Sequence, residues 1–302
     1  MEKTSKGYSI IMPTLYVVAT PIGNLSDLSP RAKEILSTVE LIAAEDTSHT
    51  VKLLNYFDIK THMISYHKFN EAERTPYIIG KMLEDCIDVA IVTDAGTPCI
   101  SDPGYDLIAA ARQSNINVIG VPGPCAAVTA LSISGFQVDR FAFYGFLDRD
   151  NNRRTAQLEE IKNSPIENYV IYESPFRIID TLKDIAEHIP SRVCICNDIT
   201  KLHEYSFSAD VNDAIATMES NEKTEKGEYV IIVNKYPQQK EDEADSEQPS
   251  TEALLVDYMV KHDCTAKDAI AFLKSSTKLS KKELYNASLN LKTLFGDEGE
   301  DD

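Results

Sequence analysis

The sequence of 302 residues predicts an α/β fold of two lobes followed by a small helical module. Between Leu15 and Gly123, apolar runs alternate with amphipathic stretches, which is typical of a parallel sheet crossed over by helices. After Gly135 the strand-like runs lie closer together, which indicates a mixed sheet. An acidic stretch then leads to three amphipathic segments, so we expect a separate helical module at the C-terminal end.

In the first lobe, assigned to residues 1–125, four apolar runs rich in β-branched residues predict strands. The amphipathic stretches between them predict helices, and Pro30 is well tolerated in the first turn of the first one. The predicted strands cover residues 15–20, 40–46, 89–94 and 117–123, and the predicted helices cover 30–39, 75–86 and 105–113.

The second lobe, assigned to residues 126–236, combines five strand-like runs with three helix-like stretches. Two of the runs follow each other within a few residues, which predicts an antiparallel hairpin. The predicted strands cover residues 140–147, 167–174, 192–199, 203–209 and 227–234, and the predicted helices cover 155–163, 177–188 and 211–220.

An acidic linker at 237–250 leads to a helix-turn-helix-like module at 251–296, and an acidic tail follows at 297–302. Apolar stripes in the module predict three core-facing helices, at 253–261, 265–275 and 280–294. Thr265 and Ser280 are suitable N-caps, and Glu283 completes a capping box with Ser280.

The formal net charge of −18 argues against a general surface for nucleic acid, because phosphate binding needs positive charge. Half of this excess lies in 240–247 and 297–302, which hold ten acidic residues and one lysine, whereas residues 251–295 hold five acidic and seven basic ones. Lys278, Lys281 and Lys282 cluster where the last helix begins, a position that the helix dipole makes unfavourable for cations. They are therefore candidate RNA contacts, with a solvated surface as the alternative.

The cysteines and the N-terminal sequence further restrict the class of protein. The six cysteines contain no CxxC pair, and Cys194 and Cys196 are spaced to share one face of a strand, so we expect neither a metal site nor a disulfide framework. No signal peptide or membrane span is recognisable. We therefore expect a cytoplasmic protein without a membrane partner. A nicotinamide enzyme or an ATPase is disfavoured, because GxGxxG and GxxxxGK[ST] are both missing.

Three strand ends carry unusual loops, namely Thr20–Leu25 (TPIGNL), Thr93–Pro98 (TDAGTP) and Pro122–Ala127 (PGPCAA). Open α/β sheets bind ligands at the carboxyl ends of their strands, near the switch in strand order. Gly and Pro at these ends let a ligand approach the backbone closely, although ordinary turns use the same residues. The loops therefore predict a ligand held chiefly by main chain, with the carboxylate of Asp94 beside it.

These loops, together with LIAAEDTSHT, VTDAGTPCISDPG and KGEYVIIV, resemble the ribosomal RNA small subunit methyltransferase I branch of the tetrapyrrole methylase superfamily. The resemblance runs from about Leu15 to Asn234 and extends to the C-terminal helices. It implies the two-lobed class III methyltransferase fold, with S-adenosyl-L-methionine in the cleft, and a homodimer. The cofactor-binding residues that it implies are Pro21, Asp94, Ala95, Gly96, Thr97, Ile100, Asp102, Cys125, Ala126, Tyr172 and Glu173.

The activity implied by the resemblance is methylation of a cytidine ribose 2′-hydroxyl in the decoding region of 16S rRNA, with the small ribosomal subunit as partner. A hydroxyl is a poor nucleophile, so the reaction needs a base or accurate in-line placement. The candidate catalytic residues are Glu45, Asp46, His67, Lys226 and Glu228. His67 is the best single base, because its unperturbed pKa lies near neutrality. Each has a structural alternative: a surface His, helix capping by Glu45 or Asp46, and a charged turn at Lys226 and Glu228.

A basic rim from Arg177, Lys201 and Lys226 would bring the RNA to the cleft. The sequence departs from the family pattern at Ser48 and Phe176, where an Arg and a His are usual, and at Asn197 and Asp198, where Arg and Glu are usual. These departures affect the expected RNA contacts. Two other functions stay open, a same-fold enzyme that methylates a small tetrapyrrole-type molecule and a non-catalytic ribosome-assembly factor.

Overall fold

The computed structural model describes residues 12–221, 223–236, 250–277 and 279–295. The chain divides into two compact units, Met1–Tyr236 and Pro237–Asp302. Lys278, the linker up to residue 249 and the acidic tail lie outside the described residues. None of the described helices combines the length and the apolar composition that crossing a membrane requires.

The first lobe is a five-stranded, fully parallel sheet in the order β3-β2-β4-β1-β5. Its elements are β1 Thr14–Val18, α1 Pro30–Thr38, β2 Leu41–Ala44, α2 Thr47–Tyr56, β3 His62–Ser65, α3 Glu71–Glu84, β4 Val89–Val92, α4 Tyr105–Gln113 and β5 Asn117–Val121. The predicted parallel sheet is confirmed. The sequence predicted no range for α2, whose start it indicated only through the capping alternative at Glu45 or Asp46. It missed β3, which has only four residues, none of them buried.

Strand order places the ends of β1 and β4 at the centre of the first sheet. The chain leaves β1, crosses over β4 to reach β2, and later crosses back from β4 over β1 to reach β5. The order of strands therefore switches between β1 and β4. In parallel sheets ligands bind at such a switch, outside the carboxyl ends of the strands.

The second lobe is a mixed sheet in the order β6-β7-β10-β8-β9. Only β6 and β7 pair in parallel, and β8 and β9 form the predicted antiparallel hairpin. The elements are α5 Ala126–Ile133, β6 Phe141–Phe146, α6 Asn151–Asn163, β7 Asn168–Glu173, α7 Ile178–His188, β8 Ser191–Asn197, β9 Tyr205–Asp210, α8 Val211–Ser220 and β10 Tyr229–Lys235.

The two faces of the second sheet pack against different helices. Val193 and Ile195 of β8 join the core that includes α6, α7 and α8, while Cys194 and Cys196 join the core formed with α5. This alternation confirms that the two cysteines share one strand face. All six cysteines are described and none forms a disulfide.

A buried lysine ties the last strand of the second lobe to a helix end. The Nζ of Lys235 donates to the carbonyl oxygens of Ile161 (2.8 Å), Lys162 (3.2 Å) and Ser164 (2.6 Å) at the end of α6. Burial lowers the pKa of Lys235. A cation is stabilising at a helix C-terminus, where several carbonyl groups lack partners within the helix.

The C-terminal unit is a three-helix bundle of α9 Thr251–His262, α10 Ala266–Ser276 and α11 Lys281–Phe295. Leu255, Leu273 and Leu284 are the large buried residues of its core. Thr265 forms a capping box with Asp268. Ser280 and Glu283 form the predicted second box, with contacts of 2.7 and 3.3 Å. The predicted N-caps are therefore confirmed.

Candidate active site

The loop that follows β4 holds an unusual concentration of left-handed backbone. Gly96 (φ 86°), Cys99 (φ 69°), Ser101 (φ 70°) and Gly104 (φ 130°) all have positive φ within nine residues. Residues with a Cβ rarely adopt this conformation, and such strain concentrates at functional sites. The two non-glycine residues therefore mark this loop as a candidate site segment.

Hydrogen bonds hold the loops after β1, β4 and β5 together. Thr20 and Gly96 exchange two backbone hydrogen bonds of 2.8 and 3.1 Å. The Thr20 hydroxyl donates to the carbonyl of Thr93 at 3.1 Å. The Thr97 hydroxyl donates to the carbonyl of Pro124 at 3.2 Å. The three loops that the sequence singled out thus form one edge of the site.

Two glycines allow the lobes to approach each other closely. A Cβ on Gly23 would lie 2.5 Å from Cγ of Lys201, in the second lobe. A Cβ on Gly145, in β6, would lie 2.7 Å from Oγ of Ser101, and Gly145 also has a φ of 61°. A Cβ at either position would force the facing side chain to move, and at Gly145 it would also strain the backbone.

A cavity of about 350 Å³, which we call the cleft cavity, lies between the two lobes. Its size falls in the range of small-molecule sites. It includes all the predicted cofactor residues except Pro21 and Asp94, which adjoin its members Ile22 and Ala95. The lining residues are Ile22, Ala95, Gly96, Thr97, Ile100, Ser101, Asp102, Cys125, Ala126, Phe146, Tyr172, Glu173, Ser174, Pro175, Glu228, Tyr229 and Val230.

Tyr172 and Glu173, at the end of β7, are fixed by contacts within the protein. The Tyr172 hydroxyl accepts a hydrogen bond from the backbone N–H of Ala127 at 3.2 Å, and burial raises its pKa to about 12. The buried carboxylate of Glu173 accepts from the N–H of Ser174 at 2.8 Å and the hydroxyl of Thr181 at 2.7 Å. The Glu173 carboxylate therefore holds the start of α7.

A second cavity of about 750 Å³, the acidic cavity, adjoins the cleft cavity. It brings three of the predicted catalytic residues together: Glu45, Asp46 and His67. Ser101 and Asp102 line both cavities, so the two spaces meet at this point. The lining residues are Glu45, Asp46, Thr47, Ser65, His67, Lys68, Phe69, Glu71, Ser101, Asp102 and Pro103.

The carboxylates of the acidic cavity differ in their surroundings. Asp46 is the N-cap of α2 and accepts from the N–H of Ser48 at 2.7 Å. Hydrogen bonding with the Ser48 side chain and then with its backbone lowers the pKa of Asp46. Burial raises the pKa of Glu45. Burial, and then the charges of Glu45 and Asp94, raise the pKa of Asp102 to about 7. Two carboxyl groups here therefore hold protons more tightly than usual.

The ring of His67 is held by Asn70. The Asn70 side-chain oxygen accepts from the N–H of His67 at 2.8 Å, which directs the amide nitrogen toward Nε2 of the ring at 3.3 Å. Because this nitrogen is a donor, it favours the tautomer with the proton on Nδ1. Nδ1 is buried and has no hydrogen-bond partner among the described residues. The ring of His67 therefore lines the cavity with its unpaired Nδ1 shielded from solvent.

The other two predicted catalytic residues lie in the segment before β10. The Glu228 carboxylate accepts from Nζ of Lys201 at 2.8 Å, and the same ammonium donates to Asp198 at 2.7 Å. Lys226 is exposed, and its carbonyl accepts from the amide of Asn197 at 3.2 Å. The predicted catalytic residues are thus split between the acidic cavity and this segment. Asn197 and Asp198, the two residues that differ from the family pattern here, form hydrogen bonds with this segment.

The predicted RNA-binding residues have different environments. The Arg177 guanidinium donates to the carbonyls of Leu147 and Asp148 at 3.2 and 3.3 Å and lies 3.6 Å from the Glu173 carboxylate, so it is used internally. Lys201 forms ion pairs with the carboxylates of Asp198 and Glu228. Within the described part of the chain, Lys226, Lys281 and Lys282 form no ion pair and are exposed, as is Phe176.

Sequence reasoning missed several residues that line the cavities. Ser65 and Phe69 flank the predicted His67, and Ser101 lies between Ile100 and Asp102 in a motif that the sequence did single out. Phe146 lies in the predicted strand 140–147 and is the last residue of β6. Proximity to a candidate residue was the available signal for Ser101, whereas its left-handed backbone could not be foreseen.

A family model described as Tetrapyrrole (Corrin/Porphyrin) Methylases matches residues 14–215, which include the whole first sheet and the second lobe as far as the first half of α8. The chain therefore belongs to the tetrapyrrole methylase family, whose members are methyltransferases. A solved structure of uroporphyrin-III-C-methyltransferase from Thermus thermophilus is similar to it with a TM-score of 0.51 and 17% identity, over 73% of this chain and 94% of that one. This likeness supports the fold alone, and with the family match it confirms the predicted fold class.

Its relatives within the family are proteins named ribosomal RNA small subunit methyltransferase I. The one from Synechocystis sp. is 41% identical over 93% of this chain and 99% of the relative. Those from Escherichia coli O157:H7 and Halalkalibacterium halodurans are 38% and 39% identical, over 91% and 90% of this chain and 94% and 93% of theirs. The resemblance seen in the sequence is thereby confirmed.

Proposed function

We propose that this protein is an S-adenosyl-L-methionine-dependent methyltransferase of ribosomal RNA. Its substrate is the 2′-hydroxyl of a cytidine in the decoding region of 16S rRNA, within the small ribosomal subunit. The observation that carries the proposal is the meeting of two cavities at Ser101 and Asp102, one suited to the cofactor and the other open to a larger substrate. The choice of ribosomal RNA as the substrate is supported by the names of the relatives.

The residues of the cleft cavity fit S-adenosyl-L-methionine. Main chain and small side chains at Ala95–Thr97, Cys125 and Ala126 leave room for direct backbone contacts. Ile22, Ile100 and the ring of Phe146 offer apolar surface to an adenine ring. When bound, the cofactor supplies a methyl group already activated on a sulfonium, so the chemistry requires no metal ion. Pro21 and Asp94 would support the same ligand from the adjoining loop positions.

Asp102 is the carboxylate best placed to take the hydroxyl proton. Methyl transfer to a hydroxyl releases its proton, and an acceptor whose pKa lies near the working pH is the most effective. Asp102 lies where the cavities meet, and its side chain forms no hydrogen bond with any described residue. Burial raises its pKa to about 7. Glu45 adds negative charge nearby, and Asp46 fixes the start of α2 beside it.

Three lysines singled out in the sequence, Lys226, Lys281 and Lys282, are exposed and outside the ion pairs of the described residues, and they would contact RNA phosphates. Lys278, from the same predicted cluster, would join them. We also propose that the protein acts as a homodimer in the cytoplasm, as the family resemblance implies. Phosphate contacts of this kind position a substrate without reading its sequence.

The test is transfer of label from S-adenosyl-L-methionine to small ribosomal subunits or free 16S rRNA, followed by mapping of alkali-resistant ribose positions. We expect label at one cytidine ribose. Asp102→Asn should lose most of the transfer, and the exposed Asp106→Asn on α4 is the matched control. Label on bases alone, or on neither RNA, would refute the proposal. Cofactor binding without transfer would favour a non-catalytic assembly factor, and transfer to a tetrapyrrole-type molecule would favour the small-molecule enzyme.

A further inference from the structure

We propose that the turn His67–Phe69 forms a nucleobase subsite in the acidic cavity, in which Phe69 stacks on the target base, Lys68 contacts an adjoining phosphate, and Glu45 accepts a hydrogen bond from the base edge. This inference rests on the proposed function, because it assigns the part of the site that would recognise the RNA. It also names a base class, one with an exocyclic amino group.

Phe69 is a large aromatic residue that is exposed and belongs to none of the hydrophobic cores of the described residues. It is 85% exposed, yet it lines a cavity, and it lies on a turn that is firmly held. Asn70 fixes this turn, because its side chain accepts from the N–H of His67 at 2.8 Å and donates to the carbonyl of Ser65 at 3.2 Å. Unpaired bases in single-stranded RNA stack on exposed aromatic rings, and the turn that carries Phe69 has a fixed backbone.

Charge decides which part of a nucleotide can enter the cavity. Its walls carry four carboxylates, Glu45, Asp46, Glu71 and Asp102, which repel phosphate. Lys68 is the lysine that lines it, and within the described part of the chain it forms no ion pair. Its Nζ lies 4.9 Å from the centre of the Phe69 ring. A phosphate beside Lys68 and a base on Phe69 would therefore satisfy both groups, with the sugar reaching inward.

The polar groups inside match an amino-bearing base. His67 lines the cavity, but its Nδ1 is buried, so its ring forms part of the wall and does not contact the base edge. Glu45 uses one oxygen to accept from the N–H of Asp94 at 3.4 Å and has the other available. A carboxylate acceptor is complementary to the exocyclic amino group of cytosine. Uracil has a carbonyl oxygen at that position, which cannot donate to it.

Binding of free nucleotides tests the subsite independently of catalysis. The probes are cytidine and uridine 5′-monophosphates, followed by saturation-transfer NMR on the whole protein. We expect transfer to the cytosine ring protons, loss of it in Phe69→Ala, and retention in Phe69→Tyr and in the exposed-aromatic control Tyr56→Ala. Glu45→Gln should lower the preference for cytidine over uridine at least about fivefold, the lower end of discrimination by a specific base contact. Equal transfer from wild type and Phe69→Ala would overturn the inference.

Kinetics on small subunits gives a second readout. Phe69→Ala should lower kcat/KM about 5- to 150-fold, the range for removal of one base–aromatic stack, with unchanged thermal unfolding. Lys68→Ala should raise KM and reduce the salt dependence of binding by the equivalent of about one phosphate. If the wild-type protein transfers no label to RNA but still shows Phe69-dependent saturation transfer to cytidine monophosphate, the proposed function fails and the subsite stands. If wild type labels the ribose and Phe69→Ala matches it, the subsite fails alone.

Discussion

Replacing the junction carboxylate Asp102 by asparagine should stabilise the protein at neutral and alkaline pH. The side chain of Asp102 forms no hydrogen bond with the described residues, so asparagine, which is nearly isosteric, leaves no partner unsatisfied. What the substitution removes is a half-buried charge that faces Glu45 and Asp94. The gain should therefore depend on pH in a defined direction.

The direction of the pH dependence is set by whether the folded or the unfolded protein loses the Asp102 proton first as the pH rises. The pKa of Asp102 is about 7 in the folded protein against an ordinary 3.8, so the unfolded chain ionises first. Stability contributed by protonated Asp102 is complete below about pH 4 and is lost as the pH rises to about 7. The full difference corresponds to about 4 kcal/mol. Solvent at the cavity mouth screens the charge, so we expect about 1–3 kcal/mol.

The assay is urea unfolding of wild type and Asp102→Asn at several values between pH 5 and pH 8. The variant's advantage in free energy of unfolding should grow with pH and level off above pH 7. Asp106→Asn, four residues further along, should show no such trend. A wild-type-to-variant difference that stays flat across the range, or that shrinks with rising pH, would refute the reasoning.

Three further changes test other parts of the molecule. Gly96→Arg places a long side chain in the cleft cavity at a residue with a φ of 86°, so calorimetry should show cofactor affinity reduced more than about tenfold, or by over 1.4 kcal/mol; unchanged affinity would remove this loop from the cofactor site. Lys235→Met removes three hydrogen bonds from a buried ammonium and should lower the free energy of unfolding by about 2–4 kcal/mol in urea; an unaltered midpoint would contradict the helix-end role. Lys281→Ala combined with Lys282→Ala should weaken RNA binding and reduce its salt slope by about one for each phosphate that a lysine no longer neutralises; an identical slope would exclude this helix from the RNA-binding surface.

The sequence predicted the sheets well because strand composition and spacing are local signals. The hairpin at β8 and β9 and the N-caps at Thr265 and Ser280 are examples in which a short pattern determines a local structure. β3 was missed because its four residues are partly exposed and lack a clear alternation. The start of α3 at Glu71 was placed too late, at residue 75, because Pro76 lies inside the helix.

The candidate site was only partly accessible from the sequence. The strand-end loops could be recognised from their Gly and Pro content, and parallel strands bring them to one edge. The split of the predicted catalytic residues could not be foreseen, since it depends on how the lobes face each other. The internal contacts of Arg177 and Lys201 could not be foreseen either. The sequence around a basic residue does not show whether its side chain is paired or free.

The position of β10 sets the order in which the two lobes can form during synthesis. The first sheet has all its strands once Val121 is made, but the second sheet needs β10 between β7 and β8, and β10 ends only at Lys235. At 5–20 residues per second this interval is about 6–23 s. A nascent chain therefore has every strand of the first sheet while β7 and β8 still lack the strand that pairs with both, so their inner edges stay open during this interval.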